Sequence, residues 1–157
     1  MDQIQKVNIL SKEQLLSYLK RFDAIMSFCP LPDEPDINFL NQWILNQDKT
    51  LICSKIDGED LLPCKISNLN HLKPGKWGIL EPVECEQVEL GKIEIVLVPG
   101  QKFDIYGHRE GRGKGYYDRF LAKLPDALKV GVLRSSQLVD RLNPHPWDIK
   151  MDMLVKI

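Results

Sequence analysis

The chain has 157 residues, of which 43% are hydrophobic and 27% are charged, and its formal net charge is −1. A chain of this length and composition is typical of one globular domain with a sizeable hydrophobic core. Its near-neutral charge argues against a dedicated nucleic-acid binder, which carries an excess of Lys and Arg. No apolar run approaches the roughly 20 residues that a membrane-spanning helix requires. We therefore expect a single domain over residues 1–157 that binds neither nucleic acid nor membrane.

The cysteines give an indication of the compartment. They form no C-x-x-C pair and have no metal-ligand spacing, and they are Cys29, Cys53, Cys64 and Cys85. Cysteines without such spacing are typical of proteins in a reducing compartment, where disulfides are rare. We predict four reduced, mostly buried thiols in a cytoplasmic protein.

The N-terminal part of the chain alternates helical and strand patterns. Ser11 and Gln14 have the spacing of a helix-capping box, and leucines follow at helical spacing. Residues 24–29 then form an apolar run that predicts the first strand. A proline-rich acidic loop follows, in which Asp36 is a candidate cap for a second helix.

A hairpin is predicted next. Residues 50–54 have the pattern of a second strand, and Asp57-Gly58 is a turn signal that leads into residues 61–66. An acidic run follows the hairpin, and we interpret it as a solvated face. Its members are Glu84, Glu86, Glu89 and Glu94.

The C-terminal part contains the most apolar strand pattern. Residues 93–98 form a compact, β-branched run closed by Pro99-Gly100, which is typical of a strand buried on both faces of a parallel sheet. Residues 129–133 predict another buried strand, and residues 152–157 predict a final strand that ties the C-terminus into the sheet. Strands that alternate with helices indicate a three-layer α/β domain with a mainly parallel sheet.

A loop of about a dozen small and polar residues separates Pro99-Gly100 from the next helical pattern. Ligands of open α/β sheets bind beyond the carboxyl ends of the strands, where such loops lie. Glycines let the backbone approach a ligand, and free N–H groups and cations bind anions. The glycines and cations of this loop are Gly107, Arg109, Gly111, Arg112, Gly113, Lys114 and Gly115. The composition predicts a phosphate site.

The residues after the loop indicate more closely which kind of ligand would bind. Tyr116 and Tyr117 offer flat surfaces for stacking on a heterocycle, and Asp118 is the kind of oxygen ligand that Mg²⁺ prefers. The combination indicates a nucleotide with its metal. It is not a P-loop, because Gly115 follows Lys114. It is not the dinucleotide fingerprint either, because Asp118 stands where the third glycine belongs. The alternative is a surface connection with ordinary solvated charges.

This stretch resembles the signature of the 5-formyltetrahydrofolate cyclo-ligase family, also called 5,10-methenyltetrahydrofolate synthetases. The matching motifs are VPG at 98–100, FD at 103–104, GxR at 107–109 and GRGKGYYDR at 111–119. Weaker matches are LPDExD at 31–36, WGILEP at 77–82, QLVD at 137–140 and DxxxD at 148–152. The resemblance covers roughly residues 25–157. It implies a Rossmann-like fold of the sugar-phosphate isomerase and CoA-transferase type, without a dinucleotide site.

The resemblance also implies an activity and a set of residues. The activity is ATP-dependent cyclisation of 5-formyltetrahydrofolate to 5,10-methenyltetrahydrofolate, with release of ADP and phosphate. The implied ATP-binding residues are Arg109, Glu110, Gly111, Arg112, Gly113, Lys114, Gly115, Tyr116 and Tyr117, of which Arg112 and Lys114 are catalytic. The implied folate-binding residues are Cys29, Leu31, Glu34, Trp77 and Tyr116, and the implied Mg²⁺ ligands are Asp118 and Asp152.

Several of these residues have a plainer interpretation without the resemblance. Asp118 also suits a charge at a helix N-terminus, and Asp152 suits a strand-end cap. Glu34 would be a solvated loop acid, and Trp77 would be a packed loop anchor. The two interpretations of each residue stay open at this point.

The sequence departs from the family pattern at two places. Members of the family begin with a longer helix whose Lys and Arg side chains reach the ATP phosphates, whereas this chain reaches its first predicted strand after about 23 residues. Trp147 also replaces the histidine that is common before Asp148. We therefore expect weak ATP binding beside near-normal folate binding. No role is predicted for His108 or His145.

Two other functions stay open. The first is a non-catalytic or re-purposed relative that binds a phosphorylated metabolite on the same fold. The second is an RNA-binding module, suggested by arginine and glycine next to tyrosines, although this pattern occurs in one short copy in a neutral chain. The expected partners are small molecules, ATP and a reduced folate, and the protein is expected to be a monomer.

Overall fold

The computed structural model describes residues 5–157, in which strands and helices alternate along the chain. The strands are β1 (Asn8–Leu10), β2 (Ala24–Met26), β3 (Thr50–Asp57), β4 (Asp60–Ile66), β5 (Leu72–Pro74), β6 (Leu80–Pro82), β7 (Glu86–Gln87), β8 (Ile95–Val98), β9 (Lys102–Asp104), β10 (Arg109–Glu110), β11 (Leu128–Leu133), β12 (Leu138–Val139) and β13 (Met153–Lys156). The α-helices are α1 (Lys12–Leu19), α2 (Asn38–Asn46) and α3 (Tyr116–Leu121). No helix in this part of the chain is long and apolar enough to cross a membrane.

Eight strands form the central sheet, in the order β1-β13-β11-β8-β2-β3-β4-β7. The strands from β1 to β3 in this order pair in parallel, whereas β4 and β7 are antiparallel to their neighbours. All four residues of β8 are buried, as expected for a strand covered on both faces.

Helices cover both faces of this sheet. Ile95 and Leu97 of β8 belong to the core that contains the buried leucines of α1 and α2. Val96 and Val98 point into the other core, which contains the buried residues of α3. This alternation follows from the period of two along a strand. It confirms the predicted three-layer α/β fold with a mainly parallel sheet.

The first two helices begin in different ways. Ser11 Oγ accepts a hydrogen bond from Gln14 N (3.1 Å) and Gln14 Oε1 accepts one from Ser11 N (2.8 Å), which confirms the capping box. Asp36 Oδ1 accepts a hydrogen bond from Asn38 N (3.0 Å), but the residue at the N-cap position is Ile37. The prediction of Asp36 as the cap is therefore wrong by one position, although its carboxylate does satisfy an N–H of the first turn.

The first strand of the chain is β1, which the sequence analysis did not predict. β1 has three residues and pairs in parallel with β13, with Asn8 opposite Met153. An edge strand this short carries no hydrophobic pattern of its own and is held by backbone hydrogen bonds to its neighbour. The strand predicted at residues 24–29 is β2, and it ends at Met26.

The β3–β4 hairpin is confirmed, and its turn contains Gly58 with φ at 62°. β3 extends further than predicted, to Asp57. All four glutamates of the acidic run are exposed, as predicted, although one of them also bonds the backbone. Glu94 Oε1 accepts hydrogen bonds from Asp23 N and Ala24 N (both 2.8 Å), so this carboxylate holds the start of β2 against the start of β8.

The prediction of four reduced thiols is wrong for one pair. Cys64 and Cys85 form a disulfide, whereas Cys29 and Cys53 are free and buried. β7 pairs with β4 so that Gln87 lies opposite Cys64, and this brings Cys85 close to Cys64. The two Cα atoms are 5.0 Å apart, within the range that a disulfide spans. The two cysteines are 21 residues apart in sequence and come together only because β7 pairs with β4. The spacing of the cysteines alone does not predict this contact.

Candidate active site

The sheet places one large cavity at the carboxyl ends of its central strands. The chain leaves β2 toward β3 on one side and leaves β8 toward β11 on the other, although β2 and β8 are neighbours. A crevice opens where the connections diverge in this way, and ligands of such sheets bind there. The cavity has a volume of about 840 Å³, within the range of sites for small molecules. The loops that follow β2 and β8 both line it.

The glycine loop, residues 99–115, forms one wall of the cavity. Gly113 (φ 86°) and Gly115 (φ 71°) adopt left-handed backbone conformations, and Gly115 is the N-cap residue of α3. These conformations cost little for glycine and are strained for other residues. The loop lines the cavity, and ligand binding there stays a prediction.

Arg109 is a buried cation in the same wall. Its Nη1 donates a hydrogen bond to Pro99 O (3.0 Å), and its guanidinium lies 5.4 Å from the centroid of the Tyr117 ring. Its Nη2 is 3.8 Å from Asp118 Oδ2, and its Nε has no partner in the described part of the chain. Burial lowers the pKa of Arg109, although Asp118 opposes this. A Cβ on Gly111 would lie 2.9 Å from Nη1, so glycine there leaves room for the guanidinium.

Lys114 and Tyr116 meet Trp77 on another part of the wall. The Lys114 Nζ lies 5.6 Å from the centroid of the Trp77 ring, and the Tyr116 and Trp77 rings meet edge to face at 6.0 Å. Trp77 occupies the turn between β5 and β6 with φ at 56°, which is uncommon for a bulky residue. Its side chain is 52% exposed, so the interpretation as a packed loop anchor does not hold.

Glu34 is a buried acid on the acidic loop that follows β2. It is 5% exposed, and its Oε1 accepts a hydrogen bond from Leu31 N (2.8 Å). Its Oε2 lies 3.5 Å from Nη2 of Arg112, which also pairs with Asp33. Burial raises the pKa of Glu34 above its ordinary value, although the bond from Leu31 N and the charge of Arg112 oppose this. The interpretation of Glu34 as a solvated acid is therefore wrong.

The remaining predicted folate contacts lie on the same acidic loop. Cys29 and Leu31 both line the cavity, and Cys29 is buried beside Cys53. Glu110 also lines the cavity. The structure therefore brings together, around one space, every residue predicted to bind ATP or folate.

The two predicted metal ligands are not brought together. Asp118 lines the cavity, and its Oδ1 accepts a hydrogen bond from Ile149 N (3.1 Å). Asp152 is not part of the cavity lining and lies beside the start of β11, where its Oδ2 accepts a hydrogen bond from Lys129 N (2.8 Å). This is the strand-end role that the sequence analysis kept as its alternative. Asp148, four residues before Asp152, does line the cavity together with Asp118.

Asp148 is therefore a site residue that sequence reasoning missed, although the motif at 148–152 contained it. Within the described chain, no cluster of three or more His, Cys, Asp or Glu side chains is arranged to hold a metal. Mg²⁺ at phosphate-transfer sites takes one or two carboxylates, and its other ligands are phosphate oxygens and water. Asp118 and Asp148 are two carboxylates of the cavity lining, and Mg²⁺ binding there stays a prediction.

Two histidines without a predicted role have contacts. His108 Nδ1 lies 2.9 Å from Asp104 Oδ2, and the buried Asp104 carboxylate also accepts hydrogen bonds from the backbone of Tyr106, His108 and Leu142. These bonds tie the glycine loop to the segment at 142–148. His145 stacks on Trp147, with ring centroids 4.7 Å apart and planes 5° from parallel.

Comparison with known proteins decides the family. The model of the 5-formyltetrahydrofolate cyclo-ligase family matches residues 4–156. The chain belongs to this family. It is 41% identical over 142 residues to the 5-formyltetrahydrofolate cyclo-ligase of Mus musculus, a match that covers 82% of this chain and 70% of the mouse protein.

Other relatives match over shorter segments. The cyclo-ligase of Mycoplasma pneumoniae is 37% identical over 73 residues, which cover 46% of this chain. A protein of Caenorhabditis elegans with the same name, qualified as probable, is 32% identical over 96 residues, which cover 55% of this chain. The matched segments span 44% of the M. pneumoniae protein and 47% of the C. elegans protein.

Solved structures confirm the fold of this cyclo-ligase family member. The 5,10-methenyltetrahydrofolate synthetase of Aquifex aeolicus superimposes with a TM-score of 0.76 at 37% identity, covering 90% of this chain and 75% of that one. The M. pneumoniae synthetase superimposes with a TM-score of 0.70 at 22% identity, covering 90% of this chain and 79% of that one, which supports the fold alone. The expectation of weak ATP binding stays a prediction.

Proposed function

We propose that this protein catalyses the ATP-dependent cyclisation of 5-formyltetrahydrofolate to 5,10-methenyltetrahydrofolate, with release of ADP and phosphate. The observation that carries the proposal is the set of residues that line one cavity in a member of the cyclo-ligase family. A glycine loop with cations faces a buried acid and an exposed indole ring across the same space. The first group suits a triphosphate, and the second suits a pterin.

The folate end would be formed by Glu34 and Trp77. A carboxylate accepts hydrogen bonds in pairs, which matches the amino group and ring N–H donors of a pterin. The backbone bond from Leu31 N and the bond from Arg134 Nη2 to Glu34 O (2.7 Å) hold this acid in place. Cys29 and Leu31 would form an apolar wall beside it.

The phosphate end would be formed by the glycine loop. Gly111, Gly113 and Gly115 allow a triphosphate to approach the backbone closely. Arg112 and Lys114 carry the more exposed positive charges of this loop, whereas the Arg109 guanidinium is buried within the wall. Tyr116 and Tyr117 complete the surface at the start of α3.

The chemistry requires activation of a poor leaving group. Transfer of the γ-phosphoryl group from ATP to the formyl oxygen gives ADP and a formyl carbon that carries a phosphate leaving group on its oxygen. The N10 lone pair then attacks that carbon, the carbon–oxygen bond breaks, phosphate leaves with the electron pair, and the N10 proton is lost. Such a reaction depends on positioning and on neutralising the charge of the transferred group. Each well-placed cation contributes on the order of 10²–10³ in rate.

Asp118 and Asp148 would hold Mg²⁺ beside the phosphates. Their carboxylates line the cavity next to the glycine loop, and the bond from Ile149 N to Asp118 joins the two segments that carry them. When bound, Mg²⁺ would neutralise charge on the phosphate oxygens. A cytoplasmic location and a monomeric state remain predictions alongside this function.

The test is a product assay with the purified protein. 5-Formyltetrahydrofolate is incubated with ATP and Mg²⁺, and formation of the methenyl product is followed by its absorbance. We expect product only when both ATP and Mg²⁺ are present. Conversion at the same rate without nucleotide, or none with it, would overturn the proposal. In the second case, thermal stabilisation by a sugar phosphate but not by ATP would favour a re-purposed relative.

A further inference from the structure

A second exposed indole ring lies in the cavity wall, and the proposed reaction leaves it unused. Trp147 lines the cavity, and its side chain is 68% exposed, more than any other large hydrophobic side chain in the described chain. It comes from the segment at 142–148, whereas Trp77 comes from the β5–β6 turn. A large aromatic surface left open to a cavity is available for a flat ligand.

The indole ring is held in a defined position. His145 stacks against one of its faces at 4.7 Å, with the ring planes 5° from parallel. A tight turn supports this stack, because Asp148 N donates to His145 O (3.0 Å) and His145 N donates to Asp148 Oδ2 (2.9 Å). The imidazole therefore backs one face of the indole, and much of the remaining ring surface is open.

This surface adjoins the groups expected to hold the phosphates. Trp147 is followed at once by Asp148, and Ile149 N is bonded to Asp118 in the first turn of α3. The glycine loop ends at Gly115, which caps that helix. A nucleotide carries its base at one end and its phosphates at the other, so a base stacked on Trp147 would direct the phosphates toward the loop.

We propose that Trp147, backed by His145, stacks on the purine base of ATP. The inference rests on the proposed function, since it assigns the base-binding residue of the same site. Stacking of a base on an aromatic side chain contributes enough that its removal weakens binding by about five- to 150-fold. Stacking contacts the π face of the base and not its hydrogen-bonding edge, so it does not distinguish guanine from adenine. GTP should therefore bind to Trp147 in the same way as ATP.

The experiment compares a nucleotide with its phosphates alone. Calorimetric titration measures the affinity of the unchanged protein and of Trp147→Ala for Mg²⁺-ATP, Mg²⁺-tripolyphosphate and 5-formyltetrahydrofolate. We expect Trp147→Ala to weaken ATP binding at least fivefold and to leave tripolyphosphate and folate binding within about twofold. Trp147→Phe, which keeps an aromatic face, should restore most of the ATP affinity. Trp77→Ala is the matched control and should weaken folate binding instead.

Three results would overturn the assignment. Equal losses for ATP and tripolyphosphate would show that Trp147 acts on the turn that carries Asp148 and not on the base. A loss confined to folate would place Trp147 in the folate subsite, and no loss for any ligand would remove it from the site. Failure of the unchanged protein to bind ATP at all would instead contradict the proposed function, and the base assignment would fall with it.

Discussion

Arg112 extends from the glycine loop to Glu34, so that its Nη2 lies 3.5 Å from Glu34 Oε2 across 78 residues of sequence. The same nitrogen also pairs with Asp33. The cation proposed to neutralise the transferred phosphoryl group is thus already paired with the acid proposed to bind the pterin. Binding of both substrates as proposed would redistribute these contacts and would couple the two halves of the cavity electrostatically.

Removal of Arg112 should affect both substrates. We expect Arg112→Ala to lower kcat by at least tenfold and up to about 10³-fold, because a charge that stabilises the transition state is lost. It should also weaken folate binding, because Glu34 would be buried without its counter-ion. Asp33→Asn is the control, since this carboxylate is exposed and should leave kcat nearly unchanged. Full activity of Arg112→Ala in steady-state assays would contradict the mechanism.

Lys114 should act on turnover through its charge. Lys114 and Lys76 both lie over the Trp77 ring, at 5.6 Å and 4.6 Å from its centroid, but Lys114 is the one that lines the cavity. We expect Lys114→Ala to lower kcat by at least tenfold, and Lys76→Ala to leave kcat within about twofold. The measurement is kcat at saturating ATP and folate. Equal effects of the two substitutions would indicate that Lys114 serves only to pack against the indole.

The buried Glu34 should give a characteristic pH dependence of stability. Burial raises its pKa, so the folded protein holds this proton more tightly than the unfolded chain does. The stabilisation is fully present below the ordinary pKa of about 4.3 and is lost as pH rises through the raised pKa. Glu34→Gln should remove this part of the pH dependence, which urea unfolding at a series of pH values can measure.

Asp33 provides the internal contrast for that measurement. The hydrogen bond from Arg112 lowers the pKa of Asp33, so its contribution is present above the ordinary pKa and is lost as pH falls through the lowered pKa. Asp33→Asn should therefore lower stability by a constant small amount above the ordinary pKa, and should change the pH dependence of stability only on the acid side. An unchanged slope above about pH 4.3 in Glu34→Gln would show that Glu34 is not the group responsible.

Three aspartates test the metal site. Asp118→Asn and Asp148→Asn should each raise the Mg²⁺ concentration needed for half-maximal rate, because each removes an anionic ligand. Asp152→Asn should leave that concentration unchanged, since Asp152 bonds the backbone of Lys129 outside the cavity and an asparagine oxygen can accept the same bond. Activity assayed over a Mg²⁺ series decides this. A raised requirement in Asp152→Asn but not in Asp148→Asn would reverse the assignment.

The disulfide should contribute to stability. Cys64 and Cys85 close a loop across a sequence separation of 21. A cross-link of that size lowers the conformational entropy of the unfolded chain and so stabilises the folded protein by about 3 kcal/mol. We expect Cys85→Ser, or a reducing agent added to the unchanged protein, to lower the free energy of unfolding by that order. Reductant should have no further effect on Cys85→Ser. Identical urea midpoints with and without reductant in the unchanged protein would show that the bond is absent in solution.

Local patterns predicted much of this protein. The capping box at Ser11 and Gln14 acts over three residues, and the buried run at 93–98 is visible in its own composition. The glycine loop is predicted to be a phosphate site because its glycines, cations and tyrosines are contiguous. Such features depend on backbone conformation and hydrogen bonding within a few residues, so all the interacting residues lie within one short stretch of sequence.

Long-range packing decided the rest. Glu34 is buried because its loop closes against Arg112 and Arg134, which lie 78 and 100 residues away. The choice between Asp148 and Asp152 follows from the path of residues 142–152, which leave the cavity to reach the start of β13. β1 and the Cys64–Cys85 bond exist because neighbouring strands supply partners from distant sequence. The amino-acid sequence alone therefore determined the family, the layered fold and the glycine loop. The tertiary structure decided which acids line the cavity, because that depends on chain segments that are distant in sequence and meet only in the folded domain.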